Sequence, residues 1–116
     1  MRLSIYAKFA FMFYVDFLEI AQQEFAELPA EMRARLIRMV EVIEQHGLRN
    51  APGHWVKSLG GGLWELRVTG RDGIARAFFV VVRGPRMVIV RVFIKKTQKT
   101  PKHELKLAWK RAKEVE

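Results

Sequence analysis

The stretch LWELRVTGRDGIARAFFVVVRGPRMVIVRVFI, residues 63–94, decides the fold of this chain. It contains three runs rich in Val, Ile and Phe, at residues 63–69, 74–83 and 87–94. Two turn-forming segments, residues 70–73 and Gly84-Pro85, separate these runs. Because strands joined by such short turns lie side by side, the stretch predicts a three-stranded antiparallel meander.

Two helices are predicted before the meander. Apolar residues at helical spacing predict the first helix over 17–27. An apolar stripe from Met32 to Ile43 predicts the second helix over 29–46, and Gly47 is expected to end it.

The remaining segments complete the predicted order. Residues 3–14 are apolar and are expected to form a buried β-strand. Residues 49–62 contain Pro52 and a run of three glycines, so a loop is expected there. Pro101 suits the start of a last helix. The residues expected on the apolar face of that helix are Leu105, Ala108, Trp109 and Ala112.

The predicted order β-α-α-β-β-β-α indicates an α+β fold in a single domain, residues 1–116. We expect a four-stranded, mainly antiparallel sheet with the two N-terminal helices packed on one face. Trp64 and Trp109 are expected to pack in the core.

Charge is distributed unevenly along the chain. Residues 1–50 carry six Lys and Arg against seven Asp and Glu, whereas residues 51–116 carry fifteen against five, a net +10. Such an asymmetry favours an anionic partner for the second half, nucleic acid before membrane. A basic surface that serves only solubility is the alternative.

The apolar N-terminal stretch raises the question of a signal peptide or membrane anchor. Lys8 interrupts the run and Asp16 ends it, so the uncharged segment 9–15 is far shorter than the ~20 residues of a spanning helix. No small-residue cleavage motif follows. The chain has no cysteine, which agrees with a cytoplasmic protein, and no membrane partner is expected.

The predicted strands place charged residues on one face of the sheet, away from the two N-terminal helices. Side chains alternate across a strand, so Glu65 and Arg67 share this face, and cations of the next two strands join them if the faces coincide. The residues expected there are Glu65, Arg67, Arg76, Arg91 and Lys95, with Lys96 and Lys99 just beyond the edge.

This charge pattern suits the cleavage of RNA. An arginine can hold the scissile phosphate with two hydrogen bonds while the neighbouring 2′-hydroxyl attacks, and no metal or cofactor is needed. Glu65 can act as the base, and Lys95, Lys96 or Lys57 can protonate the leaving oxygen. Alternatively, the acidic and basic residues merely form ion pairs on a solvated face.

Other candidate residues carry weaker signals. His54 lies in the predicted loop, where it can serve as an acid or base. The three histidines are scattered without metal-ligand spacing, so no metal site is expected. The polar side of the last helix can grip RNA or merely be solvated. Its cations are Lys102, Lys106, Lys110, Arg111 and Lys113.

Several motifs resemble a known family. In order, they are Lys57-x-Leu59, GLWELR at 62–67, RAFF at 76–79, FxKKTQKTP at 93–101, and Ala108 with Arg111. This pattern is similar to the phage-derived, HigB-like branch of the RelE/ParE toxin superfamily, over about residues 17–113.

The resemblance implies a RelE-like fold and a type II toxin that cuts messenger RNA in the ribosomal decoding site without metal. In the RelE-like pattern, two positions on the strand after the long loop are basic. In this chain Arg67 keeps the positive charge, whereas Glu65 replaces it with a carboxylate. Arg76 matches the arginine that clamps the transition state, and replacing Arg67 or Arg76 is expected to leave the fold intact. No tyrosine matches the one in the last helix of some relatives, so the general base stays open.

The resemblance also implies partners. These are messenger RNA, the ribosome and a cognate antitoxin of helix-turn-helix type, with operator DNA bound only through the antitoxin complex. We expect the antitoxin to cover or approach the basic face. Two alternative functions remain at this point: a ParE-like inhibitor of DNA gyrase and a non-enzymatic nucleic-acid-binding domain.

Overall fold

A computed structural model describes residues 14–71, 73–83, 86–95, 99 and 101–115. In chain order the elements are β1 (Tyr14–Phe17), α1 (Glu19–Ala26), α2 (Ala30–His46), β2 (Val56–Gly60), β3 (Leu63–Gly70), β4 (Gly73–Val82), β5 (Arg86–Lys95) and α3 (Lys102–Ala112). Two short 3-10 turns, Leu48–Asn50 and Gly53–Trp55, connect α2 to β2.

The described strands form one five-stranded sheet in the order β1-β5-β4-β3-β2. The predicted meander is confirmed, since β3, β4 and β5 pair antiparallel in sequence order. β1 adds to β5 in parallel, with Tyr14 beside Arg86. The predicted strand 3–14 lies outside the described residues except for Tyr14, which is exposed rather than buried.

The prediction of a loop over 49–62 was wrong for its second half. β2 pairs antiparallel with β3, from Val56 opposite Leu66 to Gly60 opposite Leu63. β2 is a short edge strand with mostly exposed side chains, so its sequence VKSLG lacks the apolar alternation of a half-buried strand. The described sheet therefore has five strands instead of four.

The main core lies between the sheet and the two N-terminal helices, as predicted. Leu36 and Ile43 of α2 belong to the same buried cluster as Leu66 and Phe79 of the sheet. Trp64 packs against this cluster, with its ring stacked 6.5 Å from that of Phe79.

A second, smaller core lies on the opposite face of the sheet, beneath α3. Ala108 of α3 is fully buried with Leu63, Phe78 and Val90. Both faces of the sheet are therefore covered in part.

α3 presents a different side to the sheet from the one predicted. Trp109 is 37% exposed, whereas Glu104 and Arg111 are buried beside Ala108. Glu104 pairs with Arg91 of β5, and Arg111 pairs with Glu24 of α1. These ion pairs compensate burial of the charges, so hydrophobicity alone indicated the wrong helix face.

A one-residue bulge interrupts the pairing of β4 with β5. Phe79 lies opposite Ile89 and Phe78 lies opposite Arg91, so Val90 has no partner in β4. The extra residue shifts the alternation of β5 by one position.

In the described part of the chain, no helix is both long and apolar enough to cross a membrane.

Candidate active site

Strand register brings five charged residues together on the α3 face of the sheet, near the end of the β3–β4 hairpin. Arg67 lies opposite Arg76, and Lys57 lies opposite Glu65. Lys95 lies opposite Ile74, two residues from Arg76. We call these five residues the charge cluster. All five were predicted in or beside the candidate site.

A buried ion pair forms the centre of the charge cluster. Arg76 donates from Nη1 to both carboxylate oxygens of Glu65, at 2.6 Å each, and both residues are 0% exposed. The alternative of ion pairs on a solvated face is therefore wrong for this pair, because both residues are buried. Since a buried carboxylate without its partner is costly, Arg76 is also expected to stabilise the fold, contrary to the prediction that its replacement leaves the fold intact.

Lys95 is the second buried cation of the charge cluster. It is 5% exposed, and its Nζ has no hydrogen-bond partner in the described part of the protein. Burial lowers the pKa of Lys95, and repulsion from Arg76 lowers it further, although Glu65 acts in the opposite direction. The charged form of Lys95 is thus less favoured than that of a lysine exposed to water.

Arg67 and Lys57 form the accessible edge of the charge cluster. Arg67 Nε lies 3.4 Å from Glu65 Oε2, a long contact, and its side chain is 30% exposed. Lys57 is exposed on the edge strand. The cluster therefore combines four cations with a single carboxylate, an excess of positive charge that favours an anionic ligand.

Arg91 lies on the same sheet face but belongs to a separate set of ion pairs. Its Nε is 2.7 Å from Glu104 Oε1, and its Nη1 is 2.7 Å from Glu24 Oε2. Arg111 completes the set at 2.9 Å from Glu24. We call Glu24, Arg91, Glu104 and Arg111 the ion network. RNA binding by Arg91 stays a prediction, and it requires these pairs to open.

The ion network shifts the pKa values of Arg91 and Glu24. The hydrogen bond to Glu104 raises the pKa of Arg91, against the effect of burial. Burial works against the Glu24 carboxylate, but the hydrogen bonds from Arg111 and from the Val92 amide, with attraction to Arg91, outweigh it and lower its pKa. The charged forms of Arg91 and Glu24 are therefore favoured. The ion pairs of the network join α1, β5 and α3.

The other predicted site residues lie around the charge cluster or outside the described part. Lys102 and Lys106 are exposed on α3, and Lys99 is exposed just before it. Lys96 lies outside the described residues, so its role stays a prediction. Nothing in the described part groups His, Asp or Glu residues closely enough to hold a metal ion.

Sequence reasoning missed a basic cavity next to the charge cluster. A cavity of ≈ 400 Å³ between α2 and β3 is lined by Arg35 and Arg38 on one side and by Arg67 on the other, with His54 and Trp55 at its end. The two helix arginines are three residues apart, so they lie on the same side of α2. Their spacing was visible, but only tertiary packing brings β3 beside them.

The fold and the site define a class: an α+β domain whose sheet holds a carboxylate among several cations. A model of the phage-derived Gp49-like protein family matches residues 23–113. The chain therefore belongs to the phage-derived Gp49-like family. Comparison with curated proteins found no match.

RelE proteins are among the solved structures that share this fold. The free-state structure of a double-arginine mutant of the Escherichia coli toxin RelE is similar over 90% of this chain and 99% of its own, at a TM-score of 0.60 and 13% identity. A RelBE toxin–antitoxin complex of Mycobacterium tuberculosis matches over 74% of this chain and 94% of its own, at a TM-score of 0.54 and 20% identity.

A third structure with this fold comes from an archaeon. The RelE–RelB complex of Pyrococcus horikoshii matches over 72% of this chain and 94% of the other, at a TM-score of 0.54 and 17% identity. The RelE-like fold implied by the sequence motifs is thereby confirmed. The HigB-like branch stays a prediction.

Proposed function

We propose that this protein is the toxin of a type II toxin–antitoxin pair, of the HigB-like branch, and that it cuts messenger RNA on the ribosome in the cytoplasm. The observation that carries the proposal is the charge cluster. It combines a proton acceptor, Glu65, with an ammonium, Lys95, whose Nζ has no partner in the described part of the chain. Two accessible cations, Arg67 and Lys57, lie at its edge.

The cluster contains the groups that metal-independent RNA cleavage requires. Arg67 and Lys57 meet the phosphates first, because they are the exposed cations. Arg76 then turns from Glu65 toward the scissile phosphate and stabilises the charge that grows on its oxygens. Losing this partner frees a Glu65 oxygen to accept a proton.

The reaction is a transfer within the RNA strand. The 2′-hydroxyl oxygen attacks phosphorus, and its proton passes to Glu65. The bond from phosphorus to the 5′ oxygen breaks, and the leaving oxygen takes a proton from the Lys95 ammonium. The products are a 2′,3′-cyclic phosphate and a 5′-hydroxyl. The lowered pKa of Lys95 suits this role, because it makes the ammonium a stronger acid.

An antitoxin is the second partner in this proposal. One solved structure of similar fold is a toxin–antitoxin complex and another is a RelE–RelB complex, which supports a protein partner for this chain. The net charge of +10 over residues 51–116 favours an acidic antitoxin segment. We further propose that this antitoxin is of helix-turn-helix type and that operator DNA is bound only through the complex.

The test is an in vitro translation assay with a reporter messenger RNA and mapping of the cut ends. The wild-type protein is expected to leave a 2′,3′-cyclic phosphate on the upstream fragment. Arg67→Ala is expected to lower the cleavage rate about a hundredfold. Arg83→Gln is a matched control, because Arg83 is exposed and follows the far end of β4 from Arg76.

Two outcomes contradict the proposal. If the RNA stays whole while the protein blocks supercoiling by DNA gyrase, the function is that of a gyrase inhibitor. If the protein binds RNA but no fragment forms with or without ribosomes, it is a nucleic-acid-binding domain without catalysis.

A further inference from the structure

The basic cavity lies where the edge strand stops. β2 begins at Val56, opposite Leu66, so the next three residues of β3, 67–69, have no neighbouring strand on that side. The 3-10 turn Gly53–Trp55 and α2 close around this gap. Because the sheet ends there, Arg67 reaches the cavity from the α3 face while Val68 reaches it from the α2 face.

The charge of the cavity has one sign. Its lining includes three arginines and no carboxylate. Arg38 forms no ion pair within the described ranges, and the pair of Arg35 with Glu31 is 3.8 Å long between exposed side chains, so water screens it. These guanidinium groups lie ready for a phosphate.

The floor of the cavity is apolar and partly aromatic. Trp55 is half-buried and packs against the main core, which fixes its position. His54 meets it edge to face, with ring centroids 6.4 Å apart. Met39 and Val68 complete the apolar surface. A flat base can stack on such a surface, and stacking does not require a particular base.

We propose that this cavity binds a nucleotide that flanks the cleaved bond, with its phosphate on the arginines and its base against Trp55. The inference rests on the proposed RNA cleavage and extends it to a second subsite. Arg67 belongs to both the charge cluster and the cavity, so one RNA strand can cross from one to the other. A volume of ≈ 400 Å³ lies in the ~300–1,000 Å³ range of small-ligand sites.

An acidic peptide of the antitoxin is the competing occupant. It would use the arginines but would leave the stacking surface of Trp55 without a flat partner. The continuity with the charge cluster also favours the substrate strand.

The test measures binding separately from cleavage. The probe is a labelled single-stranded RNA of about 12 nucleotides and mixed sequence, methylated on every 2′ oxygen so that it cannot be cut. The full chain carries Arg35→Gln with Arg38→Gln, and Arg83→Gln serves as the charge-matched control. Arg35 and Arg38 are both exposed, so the melting temperature of the double variant is expected to stay near that of the wild type.

We expect the dissociation constant of the double variant to rise roughly tenfold. The slope of log affinity against log salt is expected to fall by about 0.7 for each arginine removed. Arg38→Lys keeps the charge but loses the planar guanidinium group. Its dissociation constant is expected to lie between those of the wild type and the double variant. The control variant is expected to bind like the wild type.

The proposal is overturned if the double variant binds the probe with wild-type affinity and salt slope. The proposal is also overturned if the double variant loses affinity for the antitoxin but keeps its affinity for the RNA probe, because the cavity then binds the protein partner. Failure of the proposed cleavage looks different, because then the wild type binds the probe through the cavity yet never cuts translated RNA.

Discussion

Arg76→Ala tests whether the centre of the charge cluster holds the fold as well as the site. Glu65 and Arg76 are both 0% exposed, and removing one partner of such a pair costs about 3–5 kcal/mol. Arg67 stays 3.4 Å from Glu65 and compensates part of the loss. We therefore expect the free energy of unfolding to fall by about 3 kcal/mol, at the lower end of that range.

Arg67→Ala provides the comparison within the same cluster. Its side chain is 30% exposed and its contact with Glu65 is long, so we expect a loss of at most ~1 kcal/mol. Urea unfolding of both variants gives the two free energies. In the proposed site each variant also lowers the RNA cleavage rate about a hundredfold, so activity alone does not distinguish them.

A double variant separates the electrostatic cost from the loss of packing. Glu65→Leu with Arg76→Met fills the space with apolar side chains and removes both charges of the buried pair. It is expected to unfold within about 1 kcal/mol of the wild type while remaining inactive. If Arg76→Ala alone unfolds like the wild type, the reasoning from the buried pair is refuted.

Three further predictions concern charge and pH. Because the pKa of Glu24 is lowered in the folded protein, its charged form stabilises the fold at pH values above the ordinary glutamate pKa of about 4.3. This stabilisation is lost as the pH falls through the lowered pKa. In Glu24→Gln, the free energy of unfolding in urea should therefore fall less steeply as the pH is lowered. The same pH dependence as in the wild type would contradict this. Lys95→Met removes a buried ammonium that has no hydrogen-bond partner in the described part of the chain. Its melting temperature should therefore be at least that of the wild type, while RNA cleavage falls. A marked drop in melting temperature would contradict this. Association with the antitoxin should slow markedly between low and high salt, as measured by stopped flow, and a salt-independent rate would place the contact on another surface.

The sequence predicted those elements whose burial follows hydrophobicity. The stripe from Met32 to Ile43 predicted α2 to within a residue, and the apolar runs predicted the meander. β2 was missed because it is an exposed edge strand with little alternation. The buried side of α3 was missed because Glu104 and Arg111 enter it, and their partners on α1 and β5 are remote in sequence.

The candidate site was predictable in membership but not in burial. Alternation placed Glu65, Arg67, Arg76 and Lys95 on one face, and the register joins them. Periodicity carries no information on what covers a face, so it did not predict that Glu65 and Arg76 are buried. Separating Arg91 from its neighbours also required the positions of Glu24 and Glu104.

The unpaired Val90 makes the length of β5 as important as its composition. Met87 and Ile89 before it face the main core, and Lys95 would share their parity if pairing were continuous. In a β5 of the same length without the bulge, Lys95 would lie opposite Gly73, and its ammonium would turn toward the apolar side beneath α1 and α2. The extra residue therefore keeps Lys95 in the charge cluster, and losing Val90 itself would leave that cation in place, because Phe78 would still lie opposite Arg91 and Ile74 opposite Lys95.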